Sequence, residues 1–477
     1  MVEEKLKQKI HPSKIGYFSF TRKASEEAVE RATKKFNLDK QSLVYFRTLH
    51  SLACYQLGLP RGSLMKNFQY KKFGEAIGIH LNHVNLEEEN GIVFTNRDTE
   101  FLTHIDSSRA KNISLKEQWK KNARNIQWLK LEWLDRQYKK YKKNNTLYDY
   151  TDMLVKFVEC GISPSLDFLF IDEAQDLSYL QWQAVEKLAL NAKETYIAGD
   201  DDQAIFRWAS ADEEHFINMK GKSHTLKQSH RVPKKVHPFS IKLLNRIRDR
   251  RQKEYFPRDY EGILKYHRSY IMDISKGEWL ILATTNYILD KIEENLIERG
   301  ILFKRKNKSS VSTSVISAIN NWEKLKKGKK FMKKDIKKIY NLMSENVGYK
   351  QKFKNLETMP ILKTFSLQDL IKNYGLLRQD SWKNALDRIT IKNKVYIASA
   401  LRKKEKLSSP RVRISTIHGA KGSECDNVVL LTDLSRKAEQ QAYRNSDDLT
   451  RTMYVGATRA KKALHVVTQQ TTRGFPL

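Results

Sequence analysis

The sequence predicts an α/β protein with two successive parallel-sheet domains, each interrupted by a mainly helical insertion. Short runs rich in β-branched and aromatic residues recur as strand candidates: Ile15–Phe20, Leu166–Ile171 and Thr195–Ala198, then Trp279–Ala283, Val412–Ile417, Val428–Leu431 and Leu464–Val467. They fall into two sets, and within each set a long lysine-rich stretch of helical character separates early members from late ones. Two of the strands end in acidic residues, which suits the carboxyl edge of a parallel sheet that binds a ligand.

Taken in order, the chain enters its first domain after only a few helix-compatible residues (MVEEKLKQKI), and Ile15–Phe20 is the first strand. Residues 55–146 read as a helical insertion, in which Ile126, Leu129, Trp133, Leu134, Tyr138 and Tyr141 mark one face of a long helix. The first α/β domain then comprises residues 1–54 and 147–220, and the second comprises 221–299 and 401–477. Residues 300–400 form a smaller insertion carrying a run of bases from Lys324 to Lys338. Either insertion fits DNA contact or an ordinary solvated helical surface. No internal repeat and no long Pro/Gly/Ser linker interrupts this plan.

The 477 residues hold 88 basic and 55 acidic side chains, a formal charge of +33. Such a balance favours a polyanionic partner, foremost nucleic acid, although lysine enrichment from an A/T-rich genome gives the same composition. Cys54, Cys160 and Cys425 have no metal-ligand spacing and are odd in number, so buried thiols in a reducing compartment are expected. No apolar run is long enough to cross a membrane, and the start lacks the apolar core of a secretory signal. The expectation is a soluble, cytoplasmic protein without a membrane partner, in a bacterial, viral or phage setting.

The chemistry concentrates at two strand ends. Leu166–Ile171 delivers Asp172 and Glu173 within IDEAQD, and Thr195–Ala198 runs into Gly199-Asp200-Asp201-Asp202-Gln203. In a nucleotide-hydrolysing sheet one such carboxylate holds hydrated Mg²⁺ and the next accepts a proton from the attacking water. The phosphate-cradling motif G-x-x-x-x-G-K-[ST] occurs nowhere in the sequence. Gly221-Lys222-Ser223 is no substitute, because position 216 is Phe and no strand feeds it.

With IDEAQD, GDDDQAIFRW, LKQSHRVP, TIHGAKGSECDNVVLL and YVGATRAKKAL in order between residues 15 and 467, the chain resembles the UvrD/Rep-like superfamily 1 DNA helicases. The resemblance implies two RecA-like P-loop NTPase cores, the first truncated at its N-terminus before the glutamine-containing adenine motif and the Walker A segment. It implies ATP and Mg²⁺ as cofactors, with Asp172 as metal ligand, Glu173 as general base and Gln203 as γ-phosphate sensor. Arg231 and Arg459 match arginine fingers, and Glu424 matches a ribose-binding glutamate. For single-stranded DNA, Phe206 and Trp208 match base-stacking aromatics, while Phe20, Thr21, Arg22, Thr48, His50, Ser51, Thr416 and His418 match backbone-contacting segments. Tyr454 reads as core, and Asp149 and Asp152 read as capping residues where the chain re-enters the first core. Ala209-Ser210, Thr284 and His230 depart from the family's usual residues. The implied activity is ATP-dependent 3′ to 5′ translocation and unwinding in DNA repair or replication. Its partners would be single-stranded DNA, single/double-strand junctions and a separate polypeptide supplying the Walker A segment. The alternative is a hydrolysis-inactive DNA-binding module or a gene fragment.

Overall fold

A computed structural model describes residues 1–81, 85–87, 91–93, 100–122, 126–306, 308–353, 356–436, 438–440 and 445–477. The chain divides into two compact units, residues 1–225 with 246–254, and residues 226–245 with 255–477. None of the helices among the described residues is long and apolar enough to cross a membrane.

The first unit is built on a parallel four-stranded sheet in the order β2-β1-β5-β6, from β1 (Ile15–Ser19), β2 (Phe46–Arg47), β5 (Leu166–Asp172) and β6 (Ala192–Ile197). A small antiparallel pair, β3 (Asn85–Glu87) with β4 (Gly91–Val93), lies in the insertion. Alternation along the strands sends Phe18, Leu169 and Ile171 to one hydrophobic cluster and Ile15, Phe46 and Phe170 to another. Among the described residues β6 pairs only with β5, and it is largely exposed, which its sequence (AKETYI) anticipates by placing charge on an edge strand.

The helical insertion leaves and rejoins this sheet through one hydrogen-bonded neck. Met65 N–H donates to the Tyr148 carbonyl (2.9 Å), and Tyr148 N–H donates to the Ser63 carbonyl (2.8 Å). The insertion has its own core of Tyr70, Phe73, Leu102, Ile105, Leu131, Leu134 and Tyr138. Its long helix, Trp128–Asn144, buries Leu131, Leu134, Tyr138 and Lys142; of the stripe expected from sequence, Leu134 and Tyr138 are in this core and Ile126 and Tyr141 pack against it. Leu129, 74% exposed, and Trp133 lie outside it, while Lys142 turns inward to charges beneath it.

Those charges belong to Asp149 and Asp152, which form a reciprocal capping box at the start of helix Tyr150–Cys160. Asp149, 1% exposed, accepts hydrogen bonds from Tyr138 Oη (3.0 Å), Arg109 Nη1 (3.0 Å) and Lys142, while Asp152 accepts from Lys142 Nζ (2.6 Å) and Arg109. Burial pushes the Asp149 carboxyl up, but Arg109 and Lys142 outweigh it and hold the group well below the usual carboxylate range. Asp106 fares differently. Burial, then the Asp149 charge, pushes it up to about 7, with Arg109 Nη1 (3.7 Å) and Thr151 Oγ1 (3.4 Å) nearby.

Between the unfolded carboxyl value of about 4 and about 7, folded Asp106 keeps a proton that the unfolded chain has lost. Through this group stability falls as pH rises across that window, and is level above it. Asp106→Asn is expected to flatten this part of the pH profile, measured as urea midpoints at pH 5, 6, 7 and 8. An unchanged slope would remove Asp106 as its source.

The second unit carries a seven-stranded sheet in the order β12-β11-β15-β10-β16-β17-β9. Its strands are β9 (Ile263–His267), β10 (Trp279–Ala283), β11 (Phe303–Arg305), β12 (Lys308–Ser309), β15 (Val412–Thr416), β16 (Cys425–Leu431) and β17 (Ala460–Val467). All neighbours are parallel except β11 and β12. Central β10 is buried along its whole length, as its continuous apolar sequence requires. A short pair, β7 (Gln228–Pro233) with β8 (Phe256–Arg258), precedes this sheet. Residues between β12 and β15 form a helical subdomain closed by β13 (Phe331–Met332) and β14 (Thr364–Phe365), around a core including Trp322, Ile336, Tyr340, Leu370 and Ile397. The cysteines depart from expectation: Cys425 is buried, Cys54 is half-buried, Cys160 is exposed, and all three are free.

Candidate nucleotide and nucleic-acid sites

The acids of the first unit sit where parallel-strand geometry places a ligand site. Asp172 is the last residue of β5, and Asp200 lies three residues beyond the end of β6, with β5 and β6 adjacent in the sheet. Asp172 Oδ2 accepts from Tyr17 Oη (2.6 Å) and Oδ1 accepts from Glu173 N–H (3.0 Å). Burial raises its pKa despite these bonds.

Glu173 holds φ 54° and ψ 41°, a left-handed conformation uncommon for a non-glycine residue. The turn sends its carboxylate toward Gln175, whose Nε2 donates to Glu173 Oε2 (2.6 Å). Gln175 Oε1 accepts from Asp200 N–H (3.0 Å), and Asp200 Oδ2 accepts from Gln203 Nε2 (2.6 Å). Glu173, Gln175, Asp200 and Gln203 therefore form one hydrogen-bonded chain across the two strand ends. Gly199 is required here, since a Cβ would lie 2.5 Å from Gln175 Oε1.

Asp200, Asp201 and Asp202 lie close enough together to hold a cation, yet protein cations already neutralise them. Arg250 grips Asp202 through two bonds of 2.7 Å, Lys253 Nζ reaches Asp200 (2.6 Å), Asp202 (3.1 Å) and Asp201, and Arg251 N–H donates to Asp201 (2.8 Å). Burial pushes Asp200 up, and Lys253 with Gln203 overcomes it to leave the carboxyl lowered. Asp172 could hold a magnesium ion instead, since Mg²⁺ is usually held by one or two carboxylates with waters and substrate phosphates. Tyr17, Gln175, Arg250 and Lys253 had no signature in the sequence.

In the second unit, Arg231 Nε donates to Glu424 Oε2 (2.9 Å), and Lys461 Nζ lies 3.4 Å from Glu424 Oε1. The Arg231 guanidinium holds the Glu424 carboxyl below the usual range. Arg459 lies beside them through the chain, because its carbonyl accepts from Cys425 N–H (3.0 Å) and its Nη1 is 3.4 Å from the Ser423 carbonyl. Arg459, matched to an arginine finger, is 1% exposed, and its Nε and Nη2 donate to the Val455 carbonyl (2.8 Å) and Thr458 Oγ1 (3.1 Å). Tyr454 is buried core.

Of the residues matched to DNA contact, Phe20, Arg22, Thr48, His50, Ser51 and Trp208 line one cavity of about 1050 Å³ in the first unit. Trp208, 46% exposed, meets the exposure that stacking needs. Phe206 does not: it is 2% exposed, with Phe20 (5.5 Å) and Trp208 (6.3 Å) beside its ring. The correction follows from the tight turn Asp201–Gln203, after which Ala204, Ile205 and Phe206 all face the interior. Thr21 and Thr48 cap helices Arg22–Phe36 and Leu49–Gln56, accepting from Ala24 N–H and Ser51 N–H (both 3.2 Å). Arg22 pairs with Glu26 (2.8 Å). Burial pushes the His50 imidazole down to about 4, so at neutral pH it is uncharged. Thr416 Oγ1 accepts from Gly419 N–H (3.1 Å) and His418 opens the following turn, both in the second unit.

Parallel sheets, with acids at the ends of two adjacent strands of the first, are the architecture of α/β folds that bind ligands at strand ends, and comparison with known proteins specifies the family. Residues 1–224 match the UvrD/REP helicase N-terminal domain, and residues 411–467 match the UvrD-like helicase C-terminal domain. The chain belongs to the UvrD/Rep-like superfamily 1 helicase family. It is 23% identical over 404 residues to the "Probable DNA helicase II homolog" of Mycoplasma capricolum, covering 78% of this chain and 51% of that protein. It is 23% identical over 354 residues to the "ATP-dependent DNA helicase PcrA" of Bacillus subtilis (69% and 46%), and 22% identical over 230 residues to the "ATP-dependent DNA helicase Rep" of Buchnera aphidicola from Acyrthosiphon pisum (44% and 34%). The matches thus span between a third and about half of these curated relatives.

Proposed function

We propose that this chain carries the hydrolytic and DNA-gripping parts of an ATP-dependent DNA helicase with two RecA-like cores. It would translocate 3′ to 5′ on single-stranded DNA and unwind at single/double-strand junctions. The observation that carries the reading is the hydrogen-bonded chain from Glu173 through Gln175 and Asp200 to Gln203, beside Asp172. In that arrangement Glu173 accepts the proton of the attacking water and Gln203 orients the water. Asp172 would hold Mg²⁺, which supplies charge neutralisation on the phosphates. Glu424 would bind the ribose, and Arg231 with Arg459 would meet charge developing on the phosphoryl oxygens. Trp208 would stack on a base while Thr48, His50 and Ser51 hold backbone, a grip that tolerates any sequence.

The phosphate cradle would come from a segment bearing G-x-x-x-x-G-K-[ST], on this polypeptide or a separate one, pairing along the open side of β6. Supporting this, β6 has a single strand neighbour among the described residues, and Asp200 and Gln203 stand at its end. The second reading, a hydrolysis-inactive DNA-binding module, is favoured by Arg231 and Arg459 being engaged within their own unit. The two separate in an ATPase assay on single-stranded DNA, with and without a co-expressed strand–loop–helix segment. Turnover is expected only with the segment. DNA-stimulated turnover by the 477 residues alone, lost in Glu173→Gln, would overturn the supplied cradle. No nucleotide binding in either form would leave the DNA-binding module.

A further inference from the structure

The buried network at the foot of the first unit's insertion sets three carboxylates against two cations. Asp149 and Asp152 are each bonded by both Lys142 and Arg109. Asp106 is the one left over. Among the described residues its ion pairing is limited to Arg109 Nη1 at 3.7 Å, beyond hydrogen-bond reach, and Thr151 Oγ1 donates to its Oδ1 at a long 3.4 Å. Its Oδ2 is shut off from solvent and meets no hydrogen-bond donor among the described residues. Facing it from the packed helices are Lys142 and Tyr138 of Trp128–Asn144, Tyr70 of Asn67–Ala76, and the Asp149 and Asp152 carboxylates. Burial, then the Asp149 charge, pushes Asp106 up to about 7.

Asp106 also stands on the wall of the cavity of about 1050 Å³ that Trp208 and His50 line. Helix Glu100–Ala110 turns Thr103, Asp106, Ser107 and Ala110 to that cavity, the spacing of one helical face. Ser107 Oγ shares a hydrogen bond of 2.8 Å with Ser210 Oγ, which ties this face to the turn Arg207–Ala209 bearing Trp208. The other charged groups of the wall are cationic or paired: Lys40, Arg47 and Lys66 line it, and Glu26 accepts from Arg22 (2.8 Å). Burial keeps His50 uncharged at neutral pH. Asp106 is therefore a carboxylate without a close countercharge in a wall that otherwise suits a polyanion.

We infer that Asp106 is a proton-linked determinant of single-strand affinity: a strand enters the cavity with uptake of a proton on this carboxylate, and loss of that proton weakens the grip. Phosphates brought near an uncompensated carboxylate are repelled, and the neutral acid removes the repulsion. By linkage, whatever factor the strand adds to proton affinity, the proton adds to strand affinity. The sign is fixed: affinity is highest where Asp106 is protonated and falls as pH rises through about 7. The inference rests on a single strand occupying this cavity, as the proposed function has it, and needs no nucleotide.

The test is nucleotide-free binding of the full chain to a short strand of thymidines, read by anisotropy of a dye that does not titrate, at pH 6, 7 and 8 and constant ionic strength. Between pH 6 and 8 the unmodified chain is expected to lose about fivefold in affinity, the change produced by a rise of about one pKa unit on binding. Asp106→Asn, uncharged throughout, should lose less than about twofold, and at pH 8 should bind about as tightly as the unmodified chain at pH 6. Cys54 lines the same cavity and is retained in the variant, so a thiol origin would leave the pH dependence intact and overturn the inference. Thermal melting at each pH checks that both proteins are folded. Calorimetry in two buffers of different ionisation enthalpy should count about half a proton taken up by the unmodified chain near pH 7.5. That count needs no variant, and a count of zero overturns the inference by itself. A flat affinity profile in the unmodified chain, or equal slopes in both proteins, removes Asp106 while the single-strand reading of the cavity stands. If the unmodified chain binds no single strand at any of these pH values, both fail together.

Discussion

Glu173→Gln is expected to lower the DNA-stimulated ATPase rate by about 10²–10⁴-fold once the phosphate cradle is supplied, the range for loss of a positioned general base. The substitution is close to isosteric, so the left-handed backbone at φ 54° has no new bulk to accommodate. Gln175 Nε2 can still donate to the new amide oxygen, which keeps Asp200 and Gln203 in register. What disappears is proton acceptance alone. Single-strand affinity, which the proposed function assigns to the cavity lined by Thr48, His50 and Trp208, should therefore be unchanged. Steady-state turnover and anisotropy on the same preparation read both quantities. Undiminished turnover would reassign the base to another group, and a parallel loss of DNA affinity would show that the change had disturbed the fold.

The second large effect concerns stability. Lys142→Met should destabilise the first unit by about 3–5 kcal/mol, because it removes one partner of a buried ionic network and leaves the other charges in place. Asp149 and Asp152 would retain Arg109, but Lys142 is the cation shared most closely between them and is itself only 6% exposed. For a unit of this size that is a fall in Tm on the order of 10 °C. Methionine preserves most of the apolar stem and its packing near Tyr138, so the loss isolates the charge. Adding Asp152→Asn should recover part of the stability by removing the stranded negative charge. A double variant no more stable than the single one would show that the deficit comes from packing instead.

How far these sites could be read from sequence depended on whether their parts are contiguous. Asp172 with Glu173, and Asp200 through Gln203, stand at strand ends bounded by apolar runs, so both pattern and position were visible. Gln175 lies in the same hexapeptide, but its bridging role depends on the β5–β6 register, which no linear pattern encodes. Tyr17 is 155 residues from the Asp172 it bonds, and Arg250 is 48 residues from Asp202. Periodicity located the long helix and four residues of its inward face, but included exposed Leu129 and Trp133 and missed Lys142, because a lysine directed at two aspartates looks like a solvent-facing residue. Phe206 shows the same limit: an aromatic after a tight turn can face either way, and only packing decides. β9 and β11, with mixed polar sequences at or near the sheet margin, carried too little apolar signal to be noticed.

The cations that quiet Asp200, Asp201 and Asp202 come from residues 246–254, a piece of the first unit reached only after the chain has contributed residues 226–245 to the second. The polypeptide therefore changes allegiance three times. A protease nicking near residue 225 would cut residues 1–225 covalently free, leaving the contacts of Asp200, Asp201 and Asp202 with residues 250–253 as a non-covalent hold on the other fragment. During synthesis, the aspartate cluster stays uncompensated until Arg250 and Lys253 emerge, so the last step in maturing the first unit waits on translation of part of the second.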